Sequence, residues 1–118
     1  MRILVCGSRH FWDTKLFDEV LNYYWYPVRA IDVIIHGGAQ GADTLADLWA
    51  ESKGIYIEEY RAQWEKYGKA AGLIRNKQML DEGKPDMVIA FLAPDSRGTA
   101  NMIKQATEAG VEVKVINI

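Results

Sequence analysis

The feature that most constrains the fold of this chain is a regular alternation of short apolar runs with segments of helical spacing. The apolar runs fall at 2–8, 32–36, 55–60, 86–92 and 111–116. Runs one, two and four are nearly continuous, as in parallel strands covered on both faces, whereas VEVKVI alternates like an edge strand. Strands that alternate with helices indicate βαβ units. The sequence predicts an α/β, Rossmann-like doubly wound fold, with a mostly parallel five-stranded sheet and helices on both faces.

Three of the intervening segments predict helices with one apolar face each. Asp13 is typical of a helix N-cap, and Gly110 is typical of a helix end. The predicted core faces are Leu16, Phe17, Val20, Leu21 and Tyr24 in the first helix, Leu45, Leu48, Trp49 and Ser52 in the second, and Met102, Ile103, Ala106 and Ala109 in the last. With no linker or low-complexity tract in 118 residues, we expect one domain spanning 1–118.

Composition and charge narrow the class of protein. The chain is 49% hydrophobic and 25% charged, which is typical of a soluble globular protein. It has neither an apolar run of the roughly 18 residues that cross a membrane nor a signal-peptide pattern, so we expect a cytoplasmic protein. The net charge of -2, with acids and bases interspersed, argues against binding long nucleic acid through phosphate charge.

Cysteine and histidine give no sign of a metal site. Cys6 is the only cysteine, and within RILVC it is expected to be a buried apolar residue. Neither His10 nor His36 has a partner at metal-ligand spacing. We therefore predict no metal and no cofactor.

Three polar, glycine-containing loops leave strand ends and enter helices: GSRHFWD at 7–13, GGAQGAD at 37–43 and APDSRGT at 93–99. Glycine lets backbone N–H groups approach an anion, and the start of a helix favours negative charge. Planar, permanently charged arginines suit phosphate. These loops predict a phosphorylated ligand bound by Gly7, Ser8, Arg9, Gly37, Gly38, Gly41, Asp43, Arg97, Gly98 and Thr99.

The standard nucleotide fingerprints do not describe these loops. The chain lacks G-x-x-x-x-G-K-[ST], and its glycine cluster follows the second predicted strand instead of the first. A P-loop NTPase and an ordinary dinucleotide dehydrogenase are therefore disfavoured.

The motifs instead resemble those of a known family. GSR at 7–9, HGGAQGAD at 36–43, Trp64 followed by YGKAAGLIRNKQML at 67–80, and KPDMVIAF followed by RGTANMI are similar to the YpsA/YspA-related proteins of the SLOG superfamily. That group is related to the LOG phosphoribohydrolases and the SMF/DprA proteins. The resemblance implies a Rossmann-like domain that binds nucleotides or nucleotide-derived ligands.

The resemblance also implies roles for particular residues. It puts Gly37, Gly38 and Gly41 in the ligand loop, Gly98 and Thr99 in a second phosphate loop, and Arg75 at the arginine of an R-K-x-x-M helix. Relative to the LOG loop, Asp95 and Ser96 replace two glycines, and Met102 occupies the place of the catalytic glutamate. Methionine cannot stabilise an oxocarbenium-like state, so the catalytic residues are unassigned. Asp43 or Asp95 could supply an acid, or could cap a helix.

A helix over 68–82 would place Arg75 in one row with Ala71 and Met79, and Asn76 in the next row. Asn76 either satisfies a backbone group or contacts the ligand. Arg75 either pairs with a surface acid or contacts the ligand, and the resemblance favours the ligand. Gly72 is expected to allow close packing against the sheet or the ligand.

The aromatic residues suggest further roles. Trp49 is expected in the core, whereas Trp12 and Trp64 either stack on a base at the mouth of the site or pack in the core or at the rim. In YYWYP at 23–27, Tyr23, Trp25 and Tyr26 cannot all point inward with Tyr24. This cluster predicts a homo-oligomer interface, with loop packing as the alternative.

Three classes of function remain. The first is a module that binds an adenine nucleotide or an ADP-ribose-like compound, as a sensor or by sequestration. The second is a hydrolase of nucleoside 5'-monophosphates or related N-glycosides. The third is a single-strand nucleic-acid binder.

Overall fold

A computed structural model describes residues 1–26 and 30–118 and contains a five-stranded sheet. Its strands are β1 (Arg2–Gly7), β2 (Val33–His36), β3 (Tyr56–Glu59), β4 (Met87–Leu92) and β5 (Glu112–Asn117). The helices are α1 (Thr14–Trp25), α2 (Ala42–Lys53), α3 (Trp64–Tyr67), α4 (Ala71–Gly83) and α5 (Arg97–Glu108).

All strand pairs in the sheet are parallel, and the strand order is β3-β2-β1-β4-β5. Leu4 in the central strand β1 pairs with Ile35 of β2 and Val88 of β4, and all three are fully buried. The predicted α/β Rossmann-like fold is confirmed. As predicted, β5 lies at an edge, and its residues are half-buried or exposed.

The core has one layer on each face of the sheet. One layer packs Phe17 and Leu21 of α1 and Trp49 of α2 against β1, β2 and β4. The other packs Met79 of α4 and Met102 of α5 against the opposite face. The predicted arrangement of helices on both faces is therefore confirmed.

The first helix begins as predicted, because the side chain of Asp13 accepts a hydrogen bond from the N–H of Leu16 at 3.0 Å. The predicted core faces of two other helices were partly wrong. Leu48 is 57% exposed, and Ser52 and Ala109 are also exposed. The reason in α2 is that small, fully buried residues bring the helix close to the sheet and turn Leu48 outward: Ala42, Ala46 and Ala50.

The segment predicted as one helix over 68–82 is divided. A 3-10 turn at Gly68–Ala70 precedes α4, which runs to Gly83. Close packing of Gly72 against the sheet is not observed: a Cβ there would lie 3.5 Å from the Trp64 ring, an ordinary contact, and its packing against a ligand stays a prediction. Close packing occurs instead at Gly83, where a Cβ would lie 3.2 Å from Cδ1 of Ile35 in β2.

The aromatic cluster at the end of α1 is only partly exposed. Tyr23 and Tyr26 are 74% and 60% exposed, whereas Trp25 packs edge-on against Trp49 with ring centroids 5.9 Å apart. Trp25 therefore belongs to the border of the core, and an oligomer interface here remains a prediction that rests on the two tyrosines. Pro27 of this run lies outside the described residues.

In the described part of the chain, the helices are too short or too polar to cross a bilayer.

Candidate functional site

A cavity of about 300 Å³ lies at the carboxyl ends of β1 and β4. The strand order reverses between these strands, and ligands of open parallel sheets bind at such a point. We call it the switch-point cavity. Nine of the predicted site residues line it: Gly7, Ser8, Arg9, Asp43, Arg75, Asn76, Arg97, Gly98 and Thr99.

The loop after β1 depends on tight packing at Gly7. A Cβ at Gly7 would lie 2.7 Å from Cβ of Ala42 and 2.8 Å from Cβ of Phe91. The Ser8 N–H continues the sheet by donating to the Phe91 carbonyl at 3.1 Å. Glycine at this position therefore lets the start of α2 and the end of β4 approach β1, and this brings the loops of the cavity together.

The three glycines of the loop after β2 have different surroundings. Gly37 and Gly38 line a neighbouring cavity, whereas Gly41 has a φ of 74° and packs against the loop after β1. A Cβ at Gly41 would lie 2.6 Å from the carbonyl carbon of Arg9, and nearer still to the Ser8 carbonyl oxygen. The glycine cluster and the family resemblance both assigned Gly41 to the ligand loop, and this role stays a prediction. The absence of a side chain at Gly41 lets the loop after β2 pack against the loop after β1.

Asp43 supports this glycine loop from the first turn of α2. Its Oδ2 accepts hydrogen bonds from the N–H groups of Gly37 at 2.9 Å and Ala39 at 3.3 Å. Burial raises the pKa of Asp43, and the opposing influences include the Ala39 N–H, the Gly37 N–H and the positive charge of Arg75.

Arg75 and Asn76 join α4 to the loops. Arg75 Nη1 donates to the Gly37 carbonyl at 2.7 Å, and its Nε donates to Asn76 Oδ1 at 3.1 Å. Asn76 Nδ2 donates to the Gly98 carbonyl at 3.1 Å, so Asn76 both satisfies a backbone group and lines the cavity. Burial lowers the pKa of Arg75, but the pKa of an arginine is so far above neutral pH that the side chain stays charged. The guanidinium is therefore held in place at the cavity wall.

The opposite wall is the start of α5. The side of Gly98 where a Cβ would lie has no atom within 4 Å, and Thr99 is buried at the first turn. Arg97 is exposed beside them, and Asp95 and Ser96 complete this part of the lining. The N–H groups of a first helical turn have no partners within the helix and attract anions.

The neighbouring cavity, of about 360 Å³, shares Arg9, Ala39 and Arg75 with the first. We call it the outer cavity. Trp64 lines it and is 54% exposed, so it is not a core residue and its contact with a base stays a prediction, whereas Trp12 lines neither of these two cavities. Sequence reasoning missed Arg61 there, because this residue follows the short edge strand β3 and belongs to no recognisable motif.

His36 has acidic neighbours that its sequence spacing did not reveal. Asp47 Oδ2 lies 2.7 Å from His36 Nε2, and Glu59 Oε1 lies 4.0 Å from it. Because the Gly38 N–H donates to Nδ1 at 3.0 Å, the ring proton is on Nε2 and points at Asp47. A metal bound to Nε2 would move the ring proton to Nδ1. Nδ1 could then no longer accept the hydrogen bond from the Gly38 N–H. The His36 ring thus links Asp47 to the Gly38 N–H by two hydrogen bonds that fix the loop, with Glu59 nearby, and this donor pattern does not fit a metal.

Two residues to which the sequence analysis assigned no binding role are buried in the core. Cys6 is buried at the cavity floor, where burial raises the pKa of its thiol and makes it inert. Met102 is fully buried among the side chains between α5 and the sheet. A side chain at 102 therefore points into the core.

Comparisons with known proteins agree with the fold and the motifs. The family model described as YspA, cpYpsA-related SLOG family matches residues 1–67. The Gene 61 protein of Mycobacterium phage D29 is 37% identical in an alignment of 118 positions that covers 95% of this chain and 93% of the phage protein. The family model covers β1, β2 and the glycine loop, and the alignment with the phage protein covers nearly the whole chain. The chain therefore belongs to the YspA, cpYpsA-related SLOG family.

Proposed function

We propose that the switch-point cavity binds a phosphorylated small molecule derived from a nucleotide, and that the protein acts as a sensor or sequesters this ligand. The observation that carries the proposal is the group of three arginines, Arg9, Arg75 and Arg97, that line one small cavity together with the start of α5. Guanidinium groups and the first turn of a helix both favour phosphate.

The surroundings of Arg75 and Gly98 favour a defined phosphate site over nonspecific attraction of anions to a positive surface. Arg75 is fixed by the Gly37 carbonyl and by Asn76, so little side-chain entropy is lost when it contacts an anion. The space beside Gly98 lets a phosphate approach the backbone N–H groups at the start of α5.

The outer cavity suits the remainder of a nucleotide. Trp64 offers an aromatic face for a base, and Arg75 borders both cavities. A ligand with its phosphate beside Gly98 and its base beside Trp64 would pass Arg75. An adenine nucleotide or an ADP-ribose-like compound has both parts.

A thermal-shift panel tests the proposal. We expect AMP or ADP-ribose to raise the melting temperature with increasing concentration, since a ligand that binds only the folded state stabilises it by about 2.7 kcal/mol at a hundred times Kd. That corresponds to a shift on the order of 10 °C for a domain of this size. Inorganic phosphate and adenosine should each give smaller shifts, because each offers one part of the ligand.

A wild-type protein that responds to none of the mononucleotides, dinucleotides or cyclic nucleotides would contradict the proposal. A response to a single-stranded oligonucleotide alone would favour nucleic-acid binding instead. Arg97→Ala removes an exposed cation from the cavity and should reduce the AMP shift, whereas Lys69→Ala removes an exposed cation from outside both cavities and should leave it unchanged.

We expect AMP to remain intact during long incubation with the protein. An N-glycoside hydrolase needs a carboxylate near the anomeric carbon, and position 102 carries a methionine buried in the core. Chromatography for adenine and ribose 5-phosphate measures this. Turnover that is lost in Asp95→Asn or Asp43→Asn would contradict the expectation and identify the carboxylate responsible.

A further inference from the structure

One carboxylate oxygen of Asp43 accepts hydrogen bonds from the protein, and the other accepts none from the described residues. Oδ2 accepts both backbone hydrogen bonds, from Gly37 and Ala39. Oδ1 accepts none from the residues that the structure describes, although Asp43 is only 5% exposed. No fully enclosed side-chain nitrogen or oxygen in the described residues lacks a partner, so Oδ1 must border open space. The space that Asp43 borders is the switch-point cavity.

This oxygen limits which part of a ligand can lie beside it. A carboxylate repels phosphate, so the phosphate must lie towards Arg97 and Gly98, away from Asp43. The group at Asp43 must instead be a hydrogen-bond donor. Arg9 and Arg75 line the same cavity and disfavour a cationic donor such as an amine. A neutral hydroxyl satisfies both conditions.

We propose that Asp43 Oδ1 accepts a hydrogen bond from one of the two ribose hydroxyls, so that the cavity prefers AMP to the deoxy analogue that lacks that hydroxyl. This inference rests on the proposed function and names its ligand more closely. One carboxylate thereby has two roles: Oδ2 fixes the glycine loop, and Oδ1 recognises the sugar. Because Oδ2 is held by two N–H groups, the position of Oδ1 is set before the ligand arrives.

Asp43→Asn is a suitable variant because the loop determines which way the amide faces. The N–H groups of Gly37 and Ala39 need an acceptor, so the amide oxygen must replace Oδ2. The amide nitrogen then replaces Oδ1 and presents a donor to the cavity. The variant exchanges an acceptor for a donor and keeps the loop's hydrogen bonds, which circular dichroism and urea unfolding can verify.

The experiment is titration calorimetry with AMP, 2'-deoxy-AMP and 3'-deoxy-AMP on both proteins. We expect the wild-type protein to bind one of the deoxy compounds about tenfold or more weakly than AMP, the usual range for a hydrogen bond to a charged group. Asp43→Asn should bind AMP about as weakly as the wild-type protein binds that deoxy compound, and should no longer distinguish the two. Asp18→Asn, at an exposed acid of α1 that lines neither cavity, should keep the preference for AMP.

Three results would overturn the inference, and they differ in what they say of the proposed function. If the wild-type protein binds all three compounds equally, the sugar is not recognised, but phosphate binding stands. If Asp43→Asn weakens all three by the same factor, the carboxylate acts through the glycine loop alone. If the wild-type protein binds none of them or any other phosphorylated compound, the proposed function fails as well.

Discussion

Replacing Gly41 with alanine is expected to lower the free energy of unfolding by about 2–6 kcal/mol. The φ of 74° with a ψ of -124° is a backbone conformation that side chains rarely adopt, and holding alanine in it costs about 1–3 kcal/mol. The methyl group would also overlap the backbone of Ser8 and Arg9, which adds about 1–3 kcal/mol. Urea unfolding followed by circular dichroism measures the loss, a large part of the 5–15 kcal/mol typical of natural domains.

Gly110→Ala provides the control for this change. Gly110 also has a positive φ, of 78°, but a Cβ there would have no atom within 4 Å. The free energy of unfolding of Gly110→Ala should therefore fall only by the cost of backbone strain, about 1–2 kcal/mol. If the free energy of unfolding falls by the same amount in the two variants, the close contact of Gly41 with the loop after β1 does not contribute to the destabilisation.

Replacing Arg75 with alanine should weaken AMP binding by about 10- to 100-fold, the effect of losing a charged hydrogen bond of about 1.5–3 kcal/mol. The free energy of unfolding should also fall, by about 1–2 kcal/mol, because the Gly37 carbonyl and Asn76 lose their donor. Calorimetry on the folded variant measures the first effect, and urea unfolding measures the second.

Two further variants separate position from charge. Lys77→Ala removes a positive charge from the same helix, at an exposed residue paired with Asp81, and should change AMP binding less than twofold. Arg75→Lys keeps the charge but loses the forked geometry, and should bind with intermediate affinity. If Arg75→Ala binds AMP as tightly as the wild-type protein, Arg75 is no part of the anion site.

The fold could be predicted because each of its elements leaves a local pattern. The nearly continuous apolar runs in β1, β2 and β4 correspond to central or doubly covered strands, and the alternation in β5 corresponds to an edge. The exposed face of α2 was harder to predict. Leu48 has the spacing of a core residue, but the buried alanines determine which face of α2 turns towards the sheet. The sequence alone does not show how closely the helix approaches the sheet, so it could not show that alanines would form the buried face.

The candidate site was predicted in outline because loops at the carboxyl ends of parallel strands converge. Which atoms face the cavity could not be predicted. Gly37 illustrates this: a Cβ there would lie 2.7 Å from Cζ of Arg75, so its missing side chain makes room for a residue 38 positions away. The association of His36 with Glu59 likewise arises from the pairing of β2 with β3, which no local spacing records.

The central place of β1 in the sheet has a consequence for the order of folding. Ile3 pairs with Met87, so the switch-point cavity cannot close until strands distant in sequence have joined, and such long-range parallel pairing is slow. A chain synthesised only as far as residue 67 would contain the whole glycine loop, yet it would lack Arg75, β4 and the start of α5. The cavity is therefore among the last features to form as the chain emerges from the ribosome, long after its glycines have been made.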